Sequence, residues 1–182
     1  MTERSLVFIA VFAALIAALG LLPTFYLASG IPLTAQTLGV MLCGTILGAR
    51  RGALAVLLFL VLVAIGLPLL AGGRGGLGVF TTPWAGFLFG FPVAAFVTGL
   101  VMERLRGPQV PVAAGIAALV GGIGVLYLIA VPYFAIAKPA GWGEALITMA
   151  PFIPGDLIKV VLAALLTSAI WRARPAALFT RT

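Results

Sequence analysis

Six stretches of this chain are apolar over lengths that approach the ~20 residues a helix needs to cross the hydrocarbon core of a bilayer. They run from about Leu6 to Leu22, Leu33 to Leu47, Ala53 to Leu70, Trp84 to Met102, Val112 to Ile136 and Gly155 to Trp171. Nothing but helices and closed barrels satisfies backbone polar groups in lipid, and runs of this length read as helices. The pattern therefore predicts an all-α integral membrane protein: one six-helix transmembrane domain over residues 1–182. Composition excludes the other classes. Of 182 residues, 63% are hydrophobic and 8% charged, and the mean hydropathy is +1.28. A soluble domain carries about a quarter of its residues as charges. These are too few to cover a water-facing surface, and the hydrophobicity is too high for a disordered chain. The fifth stretch contains Gly121, Gly122, Gly124 and Pro132, so a kink is expected there.

The charges orient the bundle. Arg4, Arg50, Arg51, Arg104, Arg106, Arg172, Arg174 and Arg181 fall at the N-terminus, after spans two and four, and at the C-terminus. Arg74 and Lys138 fall on the other side, and Lys159 lies inside the sixth span. The positive-inside rule puts both termini in the cytoplasm. The first apolar run exceeds the ~7–15 residues of a signal-peptide core, and no small-residue cleavage site follows it, so it reads as a span. In such a chain a pI near 10.9 reflects cytoplasmic loops and anionic lipid headgroups, and no nucleic-acid partner is expected.

Several chemistries are excluded. There is no His, which removes Ser-His-Asp and Cys-His catalysis and His-based metal sites. Cys43 stands alone in an apolar run and reads as a small buried hydrophobe. No phosphate-binding G-x-x-x-x-G-K-[ST] occurs. A small membrane-embedded enzyme is a competing reading, but paired acids for acid–base or metal work are missing. A channel is another, but the polar residues cluster at one face and do not line a pore.

Polar groups inside a membrane are costly and mark candidate sites. In Pro154-Gly155-Asp156-Leu157-Ile158-Lys159, Asp156 falls in the first turn of the sixth span, where the helix dipole favours an anion. Lys159 shares its face. The pair reads either as an N-terminal acid with its i,i+3 partner or as a ligand site, and the depth of Lys159 in an apolar helix favours the ligand site. Gly72-Gly73-Arg74-Gly75-Gly76-Leu77-Gly78-Val79-Phe80 reads either as a flexible loop or as a loop closing on a small molecule, with Arg74 offering a fork for a carboxylate or phosphate. Thr34, Gln36 and Thr37 open the second span, as helix caps or as ligand contacts. Phe80 and Trp84 are interface-belt residues or ligand walls. In the first span Ala10, Ala14 and Ala18, with Ala13 and Ala17, form small-xxx-small faces suited to internal packing or to another membrane protein.

Together these pieces resemble the BioY family, the biotin-specific S components of energy-coupling factor (ECF) transporters. The resemblance rests on the Pro-Leu-Thr-x-Gln-Thr entry to span two, the Ala49-Arg50-Arg51-Gly52 link, the glycine loop and Pro-Gly-Asp-x-x-Lys, in this order over almost the whole chain. Thr82-Pro83-Trp84-Ala85-Gly86-Phe87 departs from the Gly-Pro-Thr-Gly-Gly-Tyr expected after the loop, so no polar role is assigned to Phe87. The resemblance implies an S-component-like bundle in a bacterial or archaeal cytoplasmic membrane that captures biotin outside and delivers it inward. It also implies that the chain is not an enzyme and takes no cofactor or metal. Implied ligand contacts are Asp156 and Lys159, supported by Arg74, Thr34, Gln36, Gly73, Gly78 and Phe80. Implied partners are a transmembrane coupling subunit, docked on the alanine face of span one, and a pair of ATPases; homo-oligomers are open where those are absent. An S component for a different vitamin is the alternative within the class.

Overall fold

The computed structural model describes residues 2–22, 25–26, 32–107, 109–138 and 141–181. Eight α-helices are described: α1 (Glu3–Gly20), α2 (Gln36–Leu42), α3 (Ala49–Ala64), α4 (Ala85–Arg104), α5 (Val110–Ala118), α6 (Leu126–Ala137), α7 (Gly141–Met149) and α8 (Ile153–Ala173). A two-residue antiparallel ribbon, β1 (Phe25–Tyr26) and β2 (Pro32–Leu33), is a small addition to the all-helical expectation.

Among the described residues, four helices are long and apolar enough to cross a membrane: α1, α4, the continuous Val110–Ala137 and the continuous Gly141–Ala173. The other two expected spans are shorter. Helix α2 continues through a π-helical segment, Cys43–Leu47, and at 1.5 Å per residue the pair is about 18 Å long. Helix α3 has 16 residues and ends at Ala64, before the expected Leu70, because Gly66 (φ 110°) and Pro68 end the helical run. Arg50 and Arg51 were expected in a link. They lie in the first turn of α3, because Gly48 (φ 85°) alone makes the turn and Glu103 Oε1 accepts the Ala49 N–H at 2.9 Å. Helix α7 lies between the fifth and sixth expected spans, and a 3-10 turn at Ala150–Phe152 joins it to α8.

Small residues let the helices approach closely. A Cβ at Gly121 would lie 2.1 Å from Thr98 Oγ1, and one at Gly44 2.5 Å from Thr98 Cβ. The expected break in the fifth span is a π-helical turn, Leu119–Val125, at this contact, and Pro132 lies within α6. Ile16, Met41, Ile46, Phe59, Met102 and Leu126 are buried in the core. Leu6, Val7 and Val11 on α1, Leu57 and Val61 on α3, and Leu165 and Leu166 on α8 face outward. An apolar exterior of this kind suits lipid as solvent.

Two bonded layers hold α2 beside α8. Thr37 contacts Asp156 and Lys159, and Thr45 Oγ1 lies 2.9 Å from Thr167 Oγ1. Both contacts advance together in sequence, so the two helices run in the same direction. The C-terminal segment satisfies carbonyls left open where the second helix ends: Phe179 N–H donates to Ile46 O and Thr180 Oγ1 to Thr45 O, each at 2.9 Å. Arg4 and Arg51 sit over the Phe179 ring at 4.9 and 4.7 Å. Arg181 donates to Leu105 O and Arg106 O beyond the end of α4.

Candidate functional site

The polar centre is built where the first turns of α2 and α8 meet. Asp156 is 3% exposed. Its Oδ1 accepts from Lys159 Nζ at 2.8 Å and from Thr37 Oγ1 at 3.0 Å, and its Oδ2 accepts from Tyr127 OH at 2.7 Å. Lys159 Nζ also donates to Thr37 Oγ1 at 2.9 Å. A buried ion pair is tolerable only when further hydrogen bonds satisfy both ions, and the two hydroxyls supply them.

Hydrogen-bond capacity remains on this cluster. An ammonium has three N–H donors, and two of Lys159's are used. A carboxylate has roughly four acceptor positions, and three of Asp156's are used. One N–H of Lys159 and one acceptor position, on Asp156 Oδ2, are therefore left among the described residues. Both residues line a cavity of about 190 Å³, together with Thr34, Gln36, Thr37 and Arg74. Its apolar walls include Trp84, Phe87, Leu88, Phe91 and Phe152. Phe87 packs edge-on against Tyr127 at 5.7 Å, and Trp84 against Phe152 at 6.0 Å.

The sequence-predicted residues divide. Asp156, Lys159, Arg74, Thr34 and Gln36 line the cavity. The capping role considered for Thr34, Gln36 and Thr37 is not found: the residue before α2 is Ala35, without a side-chain cap. Gln36 instead ties the following loop to the bundle. Its Nε2 donates to Leu69 O at 3.1 Å and Ile16 O at 3.4 Å, and its Oε1 accepts the Ala71 N–H at 3.2 Å. That leaves it a framework role, with Arg74 carried on the loop it anchors. Arg74 Nε donates to Ala71 O at 3.1 Å, and its two Nη atoms have no bond among the described residues. Gly73, Gly78 and Phe80 do not line the cavity. Gly72 and Gly73 (φ 78° and 69°) turn the loop back so that Leu70 pairs with Arg74. Phe80 packs on Phe89 at 6.0 Å, and its carbonyl accepts from Tyr133 OH.

Tyr127 was missed by sequence reading. A hydroxyl alone in an apolar span was the available signal. It lies behind Asp156 and holds the carboxylate, so it is a positioning residue. On α1, Ala10, Ala14 and Ala18 are exposed, Ala17 is half-buried and Ala13 is buried. Ala13 packs internally, which leaves the outer face to Ala10, Ala14 and Ala18. No cluster of three or more His, Cys, Asp or Glu able to hold a metal occurs among the described residues.

Comparison with known proteins decides the family. The model of the BioY family matches residues 1–176. The chain belongs to the BioY family. It is 54% identical to the biotin transporter BioY of Rhodobacter capsulatus, over 98% of this chain and 99% of that protein. It is 52% identical to the biotin transporter BioY of Rhizobium etli, over 93% and 94% of the two chains. Among solved structures, the S-component for biotin from an ECF-type ABC transporter superposes with a TM-score of 0.86 at 28% identity, covering 94% of this BioY chain and 95% of the other.

Proposed function

We propose that this chain is the biotin-capturing subunit of an ECF-type uptake transporter. The observation that carries the reading is the Asp156–Lys159 pair at the wall of an aromatic cavity, in a chain of the BioY family. Biotin has a ureido group with adjacent N–H donors and a carbonyl acceptor, an apolar bicycle, an alkyl chain and a carboxylate. The remaining acceptor of Asp156 takes a ureido N–H, and the remaining N–H of Lys159 donates to the ureido oxygen. Trp84, Phe87 and Phe91 enclose the rings, and the Arg74 fork takes the carboxylate. Each bond to a charged group contributes about 1.5–3 kcal/mol. Two or three of them, with the buried rings, can approach the roughly −12 kcal/mol of nanomolar binding.

The chain spans the bacterial inner membrane six times with both termini inside. The shorter α2 and α3 complete the crossings, and the cavity faces outward. A coupling subunit meets the Ala10-Ala14-Ala18 face, and partner ATPases energise release. Because Cys43 is the sole cysteine and is buried, topology can be read from single introduced cysteines at Gly78 and Gly107, both of which have open space around them. A membrane-impermeant maleimide should label Gly78→Cys in intact cells and Gly107→Cys only after permeabilisation. The reverse pattern would overturn the orientation. Loss of biotin affinity in Arg74→Ala that is not additive with the loss for biotinamide supports the pose; additive losses would put the carboxylate elsewhere.

A further inference from the structure

A second cavity, of about 700 Å³, opens between the start of α3 and the end of α4, at the far end of the bundle from Asp156. Leu47, Ala49, Arg50, Arg51, Leu54, Phe96, Leu100 and Glu103 line it, and biotin capture uses none of them. We infer that this groove is a binding site for an anionic phospholipid of the cytoplasmic leaflet, with its phosphate at Arg50 and an acyl chain between α3 and α4. The location rests on the orientation proposed above.

Charge favours an anion at the mouth. Arg50 is exposed and has no ion pair or side-chain hydrogen bond among the described residues. Arg51 is turned inward, donating to Ser5 Oγ at 3.2 Å and covering Phe179. Glu103 is the one acid of the lining, and its Oε1 is occupied by the Ala49 N–H. Two guanidiniums against one carboxylate leave the mouth positive, with exposed Arg104 beside it.

Shape favours a lipid over a free anion. Below the arginines the lining becomes Leu54, Phe96 and Leu100. The same helix faces continue as exposed Leu57 and Val61 on α3, with Ile65 just past its end, and as exposed Val93 and Phe89 on α4. From Leu54 to Ile65, and from Leu100 back to Phe89, each apolar track is about 16 Å long. That matches one leaflet of hydrocarbon, half of the ~30 Å core. A soluble phosphate would leave these tracks unused. Basic pockets between helices on the cytoplasmic side suit acidic headgroups.

The full chain, purified in dodecyl maltoside, would be incubated with dioleoyl phosphatidylglycerol or dioleoyl phosphatidylcholine, and retained lipid counted by native mass spectrometry. The wild type should retain the anionic lipid about fivefold more strongly, the increment of one surface arginine, and Arg50→Gln should erase that preference. Phe96→Ser should lower retention of both lipids, and inorganic phosphate should not compete. Equal retention of the two lipids by the wild type, or a preference untouched by Arg50→Gln, would overturn the inference. So would competition by phosphate, which would indicate an anion site without an acyl chain. Loss of biotin uptake in Arg50→Gln with lipid preference intact would assign the groove to a protein partner instead. Lipid preference in micelles does not depend on topology, so a failure of the orientation reading in cysteine labelling would stand apart from a failure here.

Discussion

Replacing Lys159 with Met removes the one cation that touches Asp156 and keeps the length of the side chain. Lys159 Nζ lies 2.8 Å from Asp156 Oδ1 and 2.9 Å from Thr37 Oγ1, and the side chains are only 14% and 4% exposed. Removing one partner from a buried pair costs about 3–5 kcal/mol, because the remaining charge is left uncompensated. The hydroxyls of Thr37 and Tyr127 still donate to Asp156, so the lower end of that range is expected, about a hundredfold in the unfolding equilibrium. Asp156→Asn should cost less. The ammonium it leaves behind sits on a flexible stem and can reach toward water. In the double variant the buried charge is gone, so its cost should be close to that of Asp156→Asn alone. The assay is equilibrium unfolding in mixed dodecyl maltoside–SDS micelles, followed by circular dichroism, as a double-mutant cycle. The coupling then equals the cost of Lys159→Met alone, about 3 kcal/mol, at the upper end for two groups in contact. Costs that are equal for the single variants and additive in the double would show that the two residues are not energetically paired.

Tyr127→Phe keeps the ring packing on Phe87 but removes the donor to Asp156 Oδ2; biotin affinity measured by calorimetry should fall about tenfold with the fold intact. Gly121→Val should abolish a monodisperse peak in size-exclusion chromatography, because the space is filled by Thr98 Oγ1 at 2.1 Å and Thr98 N at 2.6 Å from the added Cβ. Ala14→Trp should leave biotin binding unchanged and block coupled uptake in cells, whereas the buried Ala13→Trp should lower folded yield.

Asp156 and Lys159 were legible in the sequence because any charge beside an apolar run demands a reason. Their pairing was legible because three residues bring two side chains to one helix face. Thr37 was visible only as a polar residue near the start of a span; its bond to Asp156 joins segments that local pattern does not relate. Tyr127 is more distant still, since its hydroxyl gains meaning only when α6 packs beside α8. In the glycine loop, composition signals permissive backbone, but positive φ at Gly72 and Gly73 builds a turn, and the loop brings Arg74 to the cavity, not the glycines or Phe80. The six apolar runs all contain helix, yet the second starts late, at Gln36, and the third ends early, at Ala64. The positive-φ Gly48 and the Gly66–Pro68 break mark helix ends more sharply than hydrophobicity does. Of the small residues on α1, alternate helix faces separated Ala13 from Ala14, a distinction that a small-xxx-small pattern in an alanine-rich helix does not make.

Titration calorimetry of biotin into the purified chain, wild type against Asp156→Asn, tests the capture site most directly. The wild type should bind one biotin at sub-micromolar or tighter affinity, and the variant should bind at least about tenfold more weakly, as expected for the loss of a charged hydrogen-bond acceptor. Undiminished affinity in Asp156→Asn would contradict the site, and an absence of heat with the folded wild-type chain would contradict biotin as its ligand.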